Sequence, residues 1–272
     1  MFTAPVAPVS EEFLRIPSGG AHLHACWYRA SGSSRGSVLI CSADGEERAW
    51  TLRPLVHLAR LLAGRGYDVM RFEYEGHGES SGAYEDTGVR SRLRDISAAL
   101  RTLIDRTGRP TATIVGVRLG AALALEATAG EAAITRLVLW EPVLDVESYL
   151  RNLFRVNLTT QMVVHKKVVR SGDELVGDVE AGGLVSANGY NLAKTFVSEL
   201  RPLKPADRLA AFQGPTLILA LPPSPIPETR AEVQRLTFRP IWKEPKNDIG
   251  TPQNLLAATA DWLDRPEGTT RA

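Results

Sequence analysis

The segment from Thr111 to Leu125, TATIVGVRLGAALAL, constrains the fold of this chain more than any other. Its β-branched first half, Thr111 to Val117, predicts a central buried strand. Its Ala/Leu-rich second half, Leu119 to Ala129, predicts a helix that follows with almost no loop. Gly116 and Gly120 stand two residues either side of Arg118. Glycines at those places permit a sharp strand-to-helix turn, because larger side chains there would collide with the neighbouring strand and helix. The central side chain, Arg118, is thereby pushed out at the carboxyl edge of the sheet on a strained backbone.

The rest of the chain alternates in the same way. Phe13 to Ile16 and His22 to Tyr28 read as a hairpin around a Ser-Gly-Gly turn. Strands are predicted at Val38 to Cys41, Asp68 to Tyr74, Leu137 to Trp140, Pro215 to Leu221 and, last, Phe238 to Trp242. Helical spacing of apolar residues runs over Trp50 to Leu62, Val89 to Ile104 and Leu255 to Leu263. Strands alternating with helices on short connections predict an α/β fold: one domain over residues 1–272 with a mostly parallel sheet covered on both faces. The region Asp145 to Phe212 breaks the rhythm. It holds a predicted helix (Tyr149 to Val169), a Gly-rich polar stretch (Ser171 to Gly189) and a second helix (Leu192 to Leu200), and is read as a cap inserted over the sheet.

These features resemble the α/β-hydrolase superfamily over most of the chain. The elbow at Gly116 to Gly120 matches that fold's G-x-S-x-G nucleophile elbow. VMRFEYEGHGESSG (Val69 to Gly82) is similar to its strand-four segment, with Glu73 where Asp is usual. The helix from Trp50 to Leu62 and the cap after strand six also match. More narrowly, ADGEER (Ala43 to Arg48), GVRLGAALAL and WEPV (Trp140 to Val143) resemble the exosortase A system-associated hydrolase 2 family, whose members tend to carry a paired Glu after strand three and an Arg in the elbow.

A serine hydrolase needs a nucleophile, a base and an acid that orients the base. The elbow offers Arg118, which stays protonated and has no lone pair to attack a carbonyl. The five histidines are His22, His24, His57, His77 and His165, so the loop KEPKNDIG after the last predicted strand contains none. The segment after strand seven, LPPSPIPE, has only Glu228 as an acid. The expectation is therefore a fold of hydrolase type refitted around a cation. Arg118 beside the helix dipole suits a carboxylate, a phosphate or an enolate. Alternatively, Glu46, Glu47 or Glu141 locks it internally.

The predicted ligand-binding set is Arg118 with its neighbours Val117 and Leu119, together with Asp44, Glu46, Glu47, His77 and Glu141. Arg118, Glu46 and Glu47 are also the candidate catalytic residues, as oxyanion stabiliser and acid or base in a lyase, isomerase or cyclase that needs no cofactor. A displaced nucleophile at Cys41 or Ser42, giving an atypical hydrolase or acyltransferase, is a further reading. Trp50 and Trp140 read as core residues that could line the pocket. The charges on the 89–106 helix read as a solvated face. Lys166, Lys167 and Arg170 form a small basic cluster in the cap that could steer an anionic ligand, and the cap as a whole could bind a protein partner.

With 32 Lys plus Arg against 31 Asp plus Glu, the chain has no electrostatic footprint for nucleic acid. Cys26 and Cys41 read as buried, reduced thiols, and no Cys/His spacing suggests a metal. The N-terminus lacks a signal-peptide pattern, and no run reaches the roughly 18 apolar residues of a membrane span. The expected location is the cytoplasm, and the expected partner a small-molecule ligand.

Overall fold

The computed structural model describes residues 9–243 and 250–265. Residues 244–249, most of the segment expected to lack a base, lie outside the described residues, as do residues 1–8 and 266–272. An eight-stranded sheet runs in the order β1-β2-β4-β3-β5-β6-β9-β10. Its strands are β1 (Glu11–Ser18), β2 (Ala21–Tyr28), β3 (Gly36–Cys41), β4 (Tyr67–Phe72), β5 (Ala112–Val117), β6 (Ile134–Trp140), β9 (Thr216–Ala220) and β10 (Glu232–Arg235). β2 pairs antiparallel with β1 and β4, and every other pairing in the sheet is parallel.

Alternation along the strands feeds two cores. Leu39, Cys41, Ile114, Leu137 and Leu139 face α2 (Val89–Thr107) and α3 (Leu119–Ala127). Val38, Ile40, Val115, Val138 and Trp140 face α1 (Gly45–Gly64) and α8 (Gln253–Leu263). Strands buried on both faces are what a parallel sheet covered by helices requires. This is the α/β-hydrolase fold expected from the sequence. Among the described residues, no helix is long and apolar enough to cross a membrane.

Between β6 and β9 come α4 (Val146–His165), α5 (Gly172–Glu180), the hairpin β7 (Val185–Ala187) and β8 (Tyr190–Leu192), α6 (Lys194–Leu200) and α7 (Pro205–Ala211). The stretch read as polar and Gly-rich is thus ordered. Ser171 and Glu174 cap the start of α5 reciprocally. Asn188 and Gly189, both at positive φ, make the two-residue turn of the hairpin, and Asn-Gly is the strongest short-range signal for such a turn.

Two expectations need correction. The last strand is β10 at Glu232–Arg235, an edge strand, and not Phe238 to Trp242. Pro240 interrupts that run, and Ile241 and Trp242 pack instead in the core beneath α1 and α8. The face of α2 read as solvated also buries two charges, Arg92 and Asp95, each with no exposed surface.

Candidate functional site

Arg118 occupies the strand-to-helix turn at φ 54° and ψ −118°, a conformation costly for a residue with a Cβ. Its N–H donates to the Trp140 carbonyl at 3.0 Å, and its own carbonyl accepts from Ala121 and Val143. The flanking glycines are needed for close approach. A Cβ on Gly116 would sit 2.5 Å from the Ala121 Cα, and one on Gly120 would sit 2.1 Å from the Ser42 carbonyl oxygen. Val117 and Leu119 are fully buried in opposite cores, so their side chains do not face the site.

The Arg118 side chain is 19% exposed and reaches a cavity of about 530 Å³. Its Nε donates to Glu47 Oε1 at 3.1 Å, and Nη2 lies 3.1 Å from the same oxygen. Nη1 donates to the Glu141 carbonyl at 3.2 Å. The guanidinium lies under the Trp242 ring, 5.0 Å from its centroid, a cation–π contact.

Of the three carboxylates expected near Arg118, only Glu47 pairs with it. Glu46, beside it in the first turn of α1, accepts from Asn188 of the β7–β8 hairpin. The Glu141 carboxylate turns away and accepts from Ser224 Oγ and the Leu221 N–H, tying down the loop after β9. Glu47 Oε2 is buried with no hydrogen-bond partner among the described residues. Burial pushes the Glu47 carboxyl above its usual range against the pull of Arg118, and the nearby Asp44 and Glu46 charges add to the rise.

Asp44 precedes α1 and anchors the floor. Its carboxylate accepts from Arg92 Nε at 2.8 Å and from the Tyr84 hydroxyl at 2.8 Å, and His77 Nε2 lies 3.2 Å from Oδ1. Burial alone would raise this carboxyl, but the Arg92 guanidinium and His77 outweigh it and hold Asp44 well below the usual carboxylate range. His77 is 2% exposed and sits behind Asp44, so it supports the wall without forming it. Arg92 also donates to Thr87 Oγ1 and the Gly88 carbonyl, each at 3.0 Å.

The remaining walls come from elements that the sequence left unassigned to the site. Tyr149, Leu153 and Val156 of α4, Tyr190 of β8, Tyr84 and Trp242 line the cavity with Asp44, Glu46, Glu47 and Arg118. The i, i+4 and i+7 spacing along α4 was the available signal for the first three. Arg92 and Trp242 gave none, since their roles depend on partners far away in the chain. No serine, cysteine or histidine is among the described residues that line the cavity.

Cys41 is fully buried and its thiol is pushed up to about 12 by burial, while Ser42 Oγ is buried without a partner among the described residues. Trp140 is a core residue that donates to Thr259 Oγ1. Trp50 does not reach the cavity. Glu73, at the position usually held by Asp, accepts from Arg48 and the Glu79 N–H. Among the described residues, no three His, Cys, Asp or Glu side chains gather as a metal site.

Known proteins place this architecture. Est1E from Butyrivibrio proteoclasticus, solved with ferulic acid bound, superposes with a TM-score of 0.69 at 16% identity, covering 92% of this chain and 97% of that one. Proline iminopeptidase from Mycobacterium smegmatis gives 0.58 at 13% identity, covering 93% and 97%. The thioesterase domain from the curacin biosynthetic pathway gives 0.54 at 16% identity, covering 94% and 99%. At such identities the likeness shows the fold. No curated protein sequence matches the chain. Residues 32–182, more than half of the chain, match the family described as serine aminopeptidase, S33. Together with the strand order, the elbow at Arg118 and the cavity above it, that match shows that the chain belongs to the serine aminopeptidase S33 family of α/β-hydrolase-fold proteins.

Proposed function

We propose that this chain binds a small carbonyl- or carboxylate-bearing molecule on Arg118 and does not hydrolyse esters. The carrying observation is the elbow itself: a strained backbone presents a guanidinium, not a nucleophile, to a cavity large enough for a small ligand. Glu47 and the Glu141 carbonyl engage no more than one hydrogen on each guanidinium nitrogen. The other hydrogens on Nη1 and Nη2 are left for a ligand's paired oxygens. The aromatic walls at Tyr149, Tyr190 and Trp242 favour an apolar or aromatic body on that ligand.

The test pairs two measurements. Calorimetric titration with ferulic acid, benzoate and their methyl esters is expected to find a binder that Arg118→Met loses. A fluorophosphonate probe is expected to leave the wild-type protein unlabelled. Labelling of a serine in the cavity, or equal binding by Arg118→Met, would overturn the reading.

A second reading has its own support. Glu47, with a raised carboxyl and an unpartnered Oε2 beside a fixed cation, suits an acid–base role in a lyase, isomerase or cyclase that needs no cofactor. Glu46, tied to Asn188, is less suited to it. Full turnover of any identified substrate by Glu47→Gln would remove this reading. An atypical hydrolase or acyltransferase using Cys41 or Ser42 is disfavoured, because neither side chain reaches the cavity. The Glu46–Glu47 pair with Arg118 also supports placing the chain near the exosortase A system-associated hydrolase 2 family. We take the cytoplasm as its location.

A further inference from the structure

The far end of α4 exposes an apolar surface that the fold holds deliberately in place. Met162, Val163, Val164, Val168, Val169 and Leu184 are each 48–65% exposed; the first five crowd the helix end and the turn behind it, and Leu184 lines a small hollow together with Val169. Scattered surface aliphatics need no explanation, but a contiguous group does. The turn is not loose. Gln161, 9% exposed, accepts the Val169 and Arg170 N–H groups at 2.7 and 2.8 Å and donates to the Arg170 carbonyl at 3.1 Å. A buried side chain amide is thus spent on fixing a turn whose two valines face outward.

Charge and composition say what this surface meets. From Ser148 to Gly172 the chain has Arg151, Arg155, Lys166, Lys167 and Arg170 and no Asp or Glu. Arg170 pairs with Asp178, whereas Lys166 and Lys167, at the centre of the patch, have no carboxylate partner among the described residues. Protein-binding patches favour aromatic residues, Met and Arg and are poor in Lys. A patch of four valines around two lysines fits a bilayer surface better: the aliphatics enter the acyl boundary, while the lysines keep their ammonium groups among anionic headgroups. Position agrees with this. Tyr149, Leu153, Val156 and Thr159 of α4 line the cavity, and Val163 is the next position on that stripe, so the patch continues the cavity wall outward.

We infer that the Met162–Val169 end of α4 docks this protein peripherally on an anionic lipid surface, beside the entrance to the cavity. The docking is independent of what Arg118 binds. The test is flotation of the full chain with phosphatidylcholine vesicles and with vesicles containing 30 mol% phosphatidylglycerol, a chosen composition of roughly physiological charge.

The wild type is expected to float with the anionic vesicles only, and less at high salt. Lys166→Glu/Lys167→Glu is expected to weaken partitioning by at least about 25-fold, from about fivefold per lysine. Val163→Asp/Val164→Asp is expected to abolish it while leaving the melting temperature unchanged, since both valines are exposed. No flotation of the wild type, or flotation indifferent to either double variant, overturns the inference. Wild-type self-association in sedimentation velocity that Val163→Asp/Val164→Asp removes, without vesicle binding, would assign the patch to a second copy and overturn it as well.

Discussion

Replacing Arg92 by methionine keeps most of the volume of a side chain with no exposed surface and removes its charge. The guanidinium gives Asp44 its 2.8 Å hydrogen bond, and Asp44 would be left as a buried carboxylate on His77 and Tyr84 alone. Breaking one side of a buried ion pair typically costs about 3–5 kcal/mol. The losses at Thr87, Gly88 and the Tyr84 and Phe196 rings fall within the same disruption. Against a total stability of about 5–15 kcal/mol, that is a large fraction. With a urea slope near 3 kcal/mol/M the midpoint should fall by about 1–1.7 M at neutral pH.

The pH dependence supplies a sharper check. The Asp44 carboxyl is held below its unfolded value of about 3.9, so its contribution is full above about pH 5 and is lost as pH falls below about 4. Arg92 is the largest of the influences that lower Asp44, so without it the gap between wild type and variant should narrow on the acid side. Urea melts from about pH 2 to about pH 7.5 measure both effects. A cost below about 1 kcal/mol at neutral pH, or a gap that does not change with pH, would refute the assignment of Arg92 and Asp44 as the clamp beneath α1.

Gly120→Ala should destabilise by at least about 2 kcal/mol, because the added methyl meets the Ser42 and Cys41 backbone carbonyls and not a side chain that can move; a neutral result in chemical melts would show that α3 can shift away from β3. For Glu47, whose carboxyl is raised in the folded state, ionisation opposes folding, so the wild type should lose stability as pH rises from about 4.3 through the raised value. Glu47→Gln should remove that slope, and parallel pH–stability curves for the two proteins would count against a burial-raised Glu47.

The alternation of elements was legible because a strand buried on both faces and an amphipathic helix impose periods of their own on the sequence. The elbow was legible for a similar reason: Gly116 and Gly120 mark places where backbones nearly touch. The hairpin at Asn188-Gly189 carried a readable turn signal but lay inside a stretch whose polarity suggested loop. Arg92 was misread because a helix heavy in charge has several plausible outer faces, and only the position of Asp44 decides which one turns inward. The expected strand at Phe238 to Trp242 had the right apolar content, yet it packs without entering the sheet.

By itself the sequence determined the turn that presents Arg118, since that geometry is a matter of backbone sterics over five consecutive residues. It also placed Glu46, Glu47 and Glu141 as the carboxylates in reach. Only the tertiary structure chose among them. Glu47 and Arg118 lie 71 residues apart, and Asp44 and Arg92 lie 48 apart, so neither pairing follows from local pattern. The first follows from the parallel pairing of β3 with β5, which sets the start of α1 beside the elbow, and the second from the packing of α2 against β3, which ends just before Asp44. The packing of Trp242 over the guanidinium then completes a site that no single segment contains.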